Sequence, residues 1–394
     1  MSPLLYSRTF TRLTLGLVAI AALGVGARAV GRLMEGPEGE VRRVWLRYFE
    51  SKDRDLKTGA AVPSALWDAA EQAQWPTYDL AGLYVPAGAI PTVREVVPLP
   101  GAAGIDYEIV VDFLNVPLGG DPPQGAIPVT ATWRVTRQGD RWMIGNVLPE
   151  RTRAWSTTTV GRITYHVDPR LTFDPPRARR AATFIDSLAD AFDIPRLDRL
   201  DYYLTTSVDA ADRALGLDSP THFGPNGGFA RPVDRLVFAG IPAWGENYRH
   251  ELTHVVLLPL VRSPGATLLA SEGIATWFGG SGGRQLPDAV AQLRGYLRVH
   301  PQATLNSMLG PGETPPAVLY AAGAVVCEML FRRGSATLLK EFLAAGPQPD
   351  QLRAGLSRSL GKPWGRIEDE WRHTIDRMAA PADTPAASHL PARP

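Results

Sequence analysis

The chain turns on Arg249-His250-Glu251-Leu252-Thr253-His254, followed by Ser271-Glu272-Gly273-Ile274-Ala275-Thr276-Trp277-Phe278. A helical period puts His250 and His254 one turn apart on one face, where both imidazoles reach a single metal ion. Glu251 is rotated away from that axis, so it is placed to take a proton from water instead of ligating the ion. Pro259 disfavours helix in the residue before it, and the first helix is expected to stop near Leu258. A connection through Arg262-Ser263-Pro264-Gly265 then leads into a second helix over 266–278, stopped by Gly279-Gly280. Its inward face carries Glu272, eighteen residues after His254, to the metal. Three protein ligands and one open position make a catalytic zinc site, because a structural site closes with four. Two imidazoles and one carboxylate suit Zn2+. The competing reading is a pair of core histidines on an apolar helix, with a solvated glutamate between them. Glu272 at a usable distance and the apolar neighbours Val255, Val256 and Leu257 favour the metal.

These two segments resemble the gluzincin metallopeptidases, and the aminopeptidase N pattern more than that of thermolysin. In that pattern the third-ligand glutamate precedes Gly, an apolar residue, Ala and a small hydroxyl residue. Here these are Gly273, Ile274, Ala275 and Thr276, where the thermolysin pattern has Asp in the place of Thr276. Leu319-Tyr320-Ala321-Ala322-Gly323-Ala324 is similar to the family segment whose tyrosine hydroxyl stabilises the oxyanion. The resemblance therefore implies that role for Tyr320, against the plainer reading of a tyrosine packed at a helix start. It also implies an α+β fold over 156–378: a two-lobed gluzincin-type domain with a helical C-terminal lobe and zinc in the cleft. In gluzincins an edge strand just before the zinc helix pairs with the substrate backbone. The corresponding stretch here is Arg235-Leu236-Val237-Phe238-Ala239, preceded by Gly224-Pro225-Asn226-Gly227-Gly228-Phe229-Ala230. The Gly-Ala-Met-Glu-Asn signature of the aminopeptidases is missing, so exopeptidase action is not implied. The glycines read equally well as turn residues.

With 394 residues the chain is long enough for two to three domains. A hydrophobic fraction of 45% and a charged fraction of 21% are ordinary for globular proteins. A net charge of +1 gives no reason to expect nucleic acid as a partner. Arg8 and Arg12 precede an uncharged apolar run, Leu13 to Ala27, and Ala27-Arg28-Ala29 has the small-x-small form of a signal-peptidase site. Residues 1–29 are read as a cleaved signal peptide or as a single membrane anchor. Either use puts the rest of the chain outside the cytoplasm. The single cysteine, Cys327, forms no internal disulfide and sits among apolar residues as a buried helical thiol.

Residues 39–150 read as a small α+β domain. Val41, Trp45, Leu46, Tyr48 and Phe49 fall at helical spacing, and Ser64 is placed to cap a second helix. Strands follow over 107–113, 129–135 and 141–147, the last two joined as a hairpin through Gln138-Gly139-Asp140. This order resembles the cone-like nuclear-transport-factor fold, a scaffold that does not decide function. Asp106 and Asp112 read as a solvated face, which leaves this domain an accessory module. The remaining elements expected are a strand over 159–167, a helix over 175–192, a strand over 201–206 and a helix over 209–215. Helices over 286–299, 317–332, 336–345 and 364–378 follow, with His300 and His373 as surface residues and 379–394 as a disordered tail. The function expected is an extracytoplasmic zinc metallopeptidase acting on peptides or proteins, with Glu251 as general base. The alternative is a non-catalytic peptide-binding or envelope scaffold that keeps the metal site. No feature of the sequence fixes an oligomeric state.

Overall fold

The computed structural model describes residues 36–379 apart from 53, 56–59, 86–88, 102–103, 115–128, 219–226, 242, 262–266, 311–313 and 347. The expected leader at 1–29, the connection at 262–265, the first part of the glycine-rich loop and the tail from 380 lie outside these residues. The described chain is α+β, with a four-stranded sheet, a five-stranded sheet, a two-stranded ribbon (Arg54–Asp55 with Ala60–Ala61) and eleven α-helices. No helix among the described residues is long and apolar enough to cross a membrane.

The first unit begins with α1 (Gly36–Ser51), which buries Val41, Val44, Trp45 and Tyr48 along one stripe. That stripe faces an antiparallel four-stranded meander: β1 (Ile90–Pro98), β2 (Asp106–Leu114), β3 (Val129–Gln138) and β4 (Arg141–Asn146). Trp45 packs on Trp133 of β3 with ring centroids 5.2 Å apart. Two sequence expectations change here. β1 was not expected, because Pro91, Pro98 and a bulge between Val93 and Glu95 break the alternation that marks a strand. The second helix, α2 (Ala69–Gln74), starts later than expected and is capped by Asp68, whose carboxylate accepts from the amides of Ala70 and Glu71. Ser64 instead accepts from the Leu66 amide within the preceding turn.

After the short α3 (Leu148–Arg151), a second sheet starts. Its strands are β5 (Ser156–Val160), β6 (Ile163–Val167), β7 (Leu200–Leu204), β8 (Gly228–Arg231) and β9 (Leu236–Ala239), in the order β8-β9-β7-β6-β5. The single strand expected over 159–167 is a hairpin, reversed at Gly161 with a φ of +60°. The edge strand is β8, whereas the 236–239 segment is internal and pairs with β7 in parallel. α4 (Pro175–Ala191) and α5 (Val208–Leu215) connect these strands.

Alternation along the strands explains why the inner strands β7 and β9 of this sheet are buried on both faces. Leu200, Tyr202 and Leu204 of β7 join the core shared with α4 and the later helices. Tyr203, Leu236 and Phe238 point the other way, into the aromatic core of the first unit. A buried polar cluster ties the two units together. Thr77 donates through its amide and hydroxyl to Asp234, at 2.9 Å and 2.5 Å. Arg231 of β8 pairs with Asp234 and donates to the Leu80 carbonyl at 2.8 Å. The ion pair is tolerated because its neighbours satisfy its remaining hydrogen-bonding capacity.

The remaining helices are α6 (Arg249–Leu257), α7 (Leu268–Gly279), α8 (Leu286–Val299), α9 (Pro316–Leu343), α10 (Pro349–Leu360) and α11 (Trp364–Met378). α9 joins the two helices expected over 317–332 and 336–345, with non-helical backbone at Gly334 and Ser335. α10 was not expected; it shows only Leu352, Leu356 and Leu360 to the core among polar residues.

Candidate metal centre

Tyrosines of the second sheet set the start of α6. Tyr202 donates its hydroxyl to the Gly245 carbonyl at 2.7 Å and accepts from the Tyr248 amide at 3.2 Å. Tyr165 donates to the Glu246 carbonyl at 3.0 Å. These bonds fix the turn from which α6 begins at Arg249, and with it the direction of His250 and His254. The helix ends at Leu257 and passes through a single 3-10 turn over Leu258–Leu260, as Pro259 requires.

α7 crosses α6 and α9 at very short range. A Cβ on Gly273 would lie 2.6 Å from the Gly323 backbone, and one on Gly323 would lie 2.0 Å from the Leu269 carbonyl oxygen. Only paired glycines permit that approach. It brings Glu272 of α7, Tyr320 of α9 and the α6 histidines into one cluster. Trp277 of α7 adds a bond of 3.1 Å to Glu328 of α9.

His250, His254 and Glu272 each offer a ligand atom, and these atoms all lie within 4.8 Å of one another. His250 Nδ1 donates to the Gly280 carbonyl at 2.7 Å, which directs Nε2 into the cluster. His250 Nε2 is 3.1 Å from Glu272 Oε2, and His254 Nε2 is 3.4 Å from Glu272 Oε1. Two ligands about 2.05 Å from a zinc ion at the tetrahedral angle stand about 3.3 Å apart, so the donors have the spacing of a ligand set. The triad could hold a metal ion. Burial opposes charge on both partners, yet the Glu272 carboxylate raises His254 to about 9 and the histidines pull Glu272 well below the usual carboxylate range.

Glu251 is buried beside the triad but outside it. The Tyr248 hydroxyl hydrogen-bonds its carboxylate; burial, then the charges of Glu251 and Glu272, push that tyrosine far above its ordinary value. It therefore stays protonated and donates. Sequence reasoning missed Tyr248. The available signal was its place three residues before Glu251, in the register that links an N-cap to the third residue of a helix. Tyr320 is half-buried, with its ring centroid 6.4 Å from that of His250. Burial and the charges of Glu272 and Glu251 push its hydroxyl up to about 12, so it too is a neutral donor.

His300 and His373 stand apart from this cluster. His300 packs on Tyr296, and exposed His373 hydrogen-bonds the Asp369 carbonyl. Cys327 is a buried free thiol. In the first unit, Asp106 pairs with Arg134 and Asp112 with Arg94. Two deeper acids there are held by protein donors. Asp79 accepts from Tyr48 and Trp133 at 2.6 Å and 2.8 Å. Burial raises Glu71 to about 7, although it accepts from the Asn146 amide and side chain at 2.8 Å and 2.7 Å. Both acids knit loops to the sheet.

Comparison with protein-family models and with curated proteins finds no match to the chain.

Proposed function

We propose that the chain is a zinc metallopeptidase of gluzincin type that hydrolyses peptide bonds in peptides or proteins outside the cytoplasm. The observation that carries this reading is Glu251: a buried carboxylate beside the metal-ligand triad but not part of it, oriented by its own tyrosine. A purely structural metal site has no use for such a group. The extracytoplasmic location rests on the apolar run Leu13 to Ala27.

In such a donor set a zinc ion supplies Lewis-acid polarisation of a carbonyl and acidification of water. His250, His254 and Glu272 hold it. Glu251 takes the proton of the attacking water and delivers it to the leaving amine. Tyr248 positions the Glu251 carboxylate for both transfers. The neutral Tyr320 hydroxyl donates to the oxyanion that develops at the scissile carbonyl. An extended substrate would add to the open edge of β8.

A second reading, a peptide-binding scaffold that retains the metal, is favoured by one observation. The β8 strand, Gly-Phe-Ala-Arg, carries no acid to grip a free amino terminus. A fluorogenic peptide library separates the two. The full-length, zinc-loaded chain is expected to cleave members of the library, to lose that activity with a chelator and to regain it with added zinc. Zinc-loaded protein that binds peptides and cleaves none would transfer the assignment to the scaffold.

A further inference from the structure

Behind the N-terminus of α6 lies a cavity of about 260 Å³ whose walls include Arg177, Arg180, Arg249, Trp244, Asn247 and Gly279. No member of the metal triad lines it. A second hollow of about 380 Å³ adjoins it, shares Arg180 and Arg249, and adds Arg179. Arg249 stacks its guanidinium over Phe184, 5.0 Å from the ring centroid, and its Nε is buried without a hydrogen-bond partner. Arg180 is close enough for its like charge to act on Arg249. Among the described residues, no carboxylate pairs with Arg180 or Arg249. Arg177 alone has acidic neighbours, Asp174 at 3.6 Å and Glu246 at 3.9 Å.

Two neighbouring guanidinium groups without a carboxylate, those of Arg180 and Arg249, repel each other unless an anion joins them. Asn247 Oδ1 also lies buried without a partner, and half a turn of that amide puts a donor in its place. The first turn of α6 has no side-chain cap, which adds the positive end of the helix to the same corner. One carboxylate is satisfied by a single guanidinium fork; the two arginines without a carboxylate, Arg180 and Arg249, suit an oxyanion carrying about two negative charges.

We infer that this pocket binds the phosphate group of a phosphate monoester, gripped by Arg180 and Arg249 with Arg177 behind them. The site stands whether or not a metal occupies the triad. It is also wired to the triad. A Cβ on Gly279, in the pocket wall, would lie 2.2 Å from the His250 amide nitrogen, and the next carbonyl, of Gly280, holds His250 Nδ1. The pocket wall is therefore continuous with the backbone that aims the first histidine.

The test is calorimetric titration of inorganic phosphate into the full chain, zinc-loaded and again in excess chelator. Saturable binding of one phosphate per chain is expected in both, so that the ion cannot be sitting on the metal. Arg180→Gln, an exposed change that leaves the core alone, should weaken it at least tenfold. Arg249→Gln should do the same, and Arg170→Gln, whose partner is Asp168, should leave it unchanged. Vesicles containing phosphatidic acid distinguish the source of the phosphate. Co-sedimentation that Arg180→Gln abolishes identifies a lipid headgroup, and phosphate binding without co-sedimentation identifies a soluble ester. The inference is overturned if phosphate gives no saturable binding, or if Arg180→Gln binds it as tightly as the parent chain.

Discussion

Replacing Glu251 by Gln is expected to cut peptide hydrolysis by about 10²–10⁴-fold while metal content stays at the parental level. The substitution keeps size and keeps an oxygen for the Tyr248 hydroxyl, so the turn into α6 is undisturbed. What it removes is the ability to accept and return a proton. The triad does not include Glu251, and its donors remain within reach of one another. Steady-state kinetics on a cleaved peptide, alongside metal analysis of the same samples, reads both halves of the expectation. Full activity in the variant would remove Glu251 from the chemistry. Loss of metal together with activity would make it a structural residue of the site.

Gly323→Ala is expected to destabilise the fold by about 3 kcal/mol and to lower activity with it. The added methyl would meet the Leu269 carbonyl oxygen at 2.0 Å and the Gly273 Cα at 2.8 Å, both backbone atoms that cannot step aside as a side chain can. α7 and α9 must then separate. Glu272 sits beside Gly273 and Tyr320 one turn before Gly323, so the separation moves the Glu272 carboxylate and the Tyr320 hydroxyl together. Gly295→Ala makes the same chemical change in α8, where nothing lies within 4 Å of the new methyl, and is expected to be neutral or slightly stabilising. Thermal melts of the two variants give the comparison. Equal stability would mean that the α7–α9 crossing is looser than its glycines indicate.

How far the site was legible in the sequence depended on whether its logic was local. His250, His254 and Glu251 share one helix, so spacing alone places them; Pro259 and Gly280 mark where the two helices that carry the triad end. α8 and α11 were legible for the same reason, since apolar residues recur along them at helical spacing. β1 was hidden by its prolines and its bulge, which matter only in the context of an edge. The edge position of β8 depends on which strand pairs with β7, and a sequence of short apolar runs does not encode that choice. Tyr248 acts through the turn that Tyr202 and Tyr165 fix from the sheet. The arginine pocket joins residues from α4 and α6 more than sixty positions apart. Tyr248 offers only its place three residues before Glu251, and the arginine pocket has no spacing to read.

The most direct test of the metal centre is the metal content of the purified full-length chain, compared with His254→Ala. One zinc ion per chain is expected in the parent and a loss of most of it in the variant, because two remaining ligands do not hold zinc tightly. No bound metal in the parent chain, even after zinc is supplied, would contradict a metal centre at His250, His254 and Glu272.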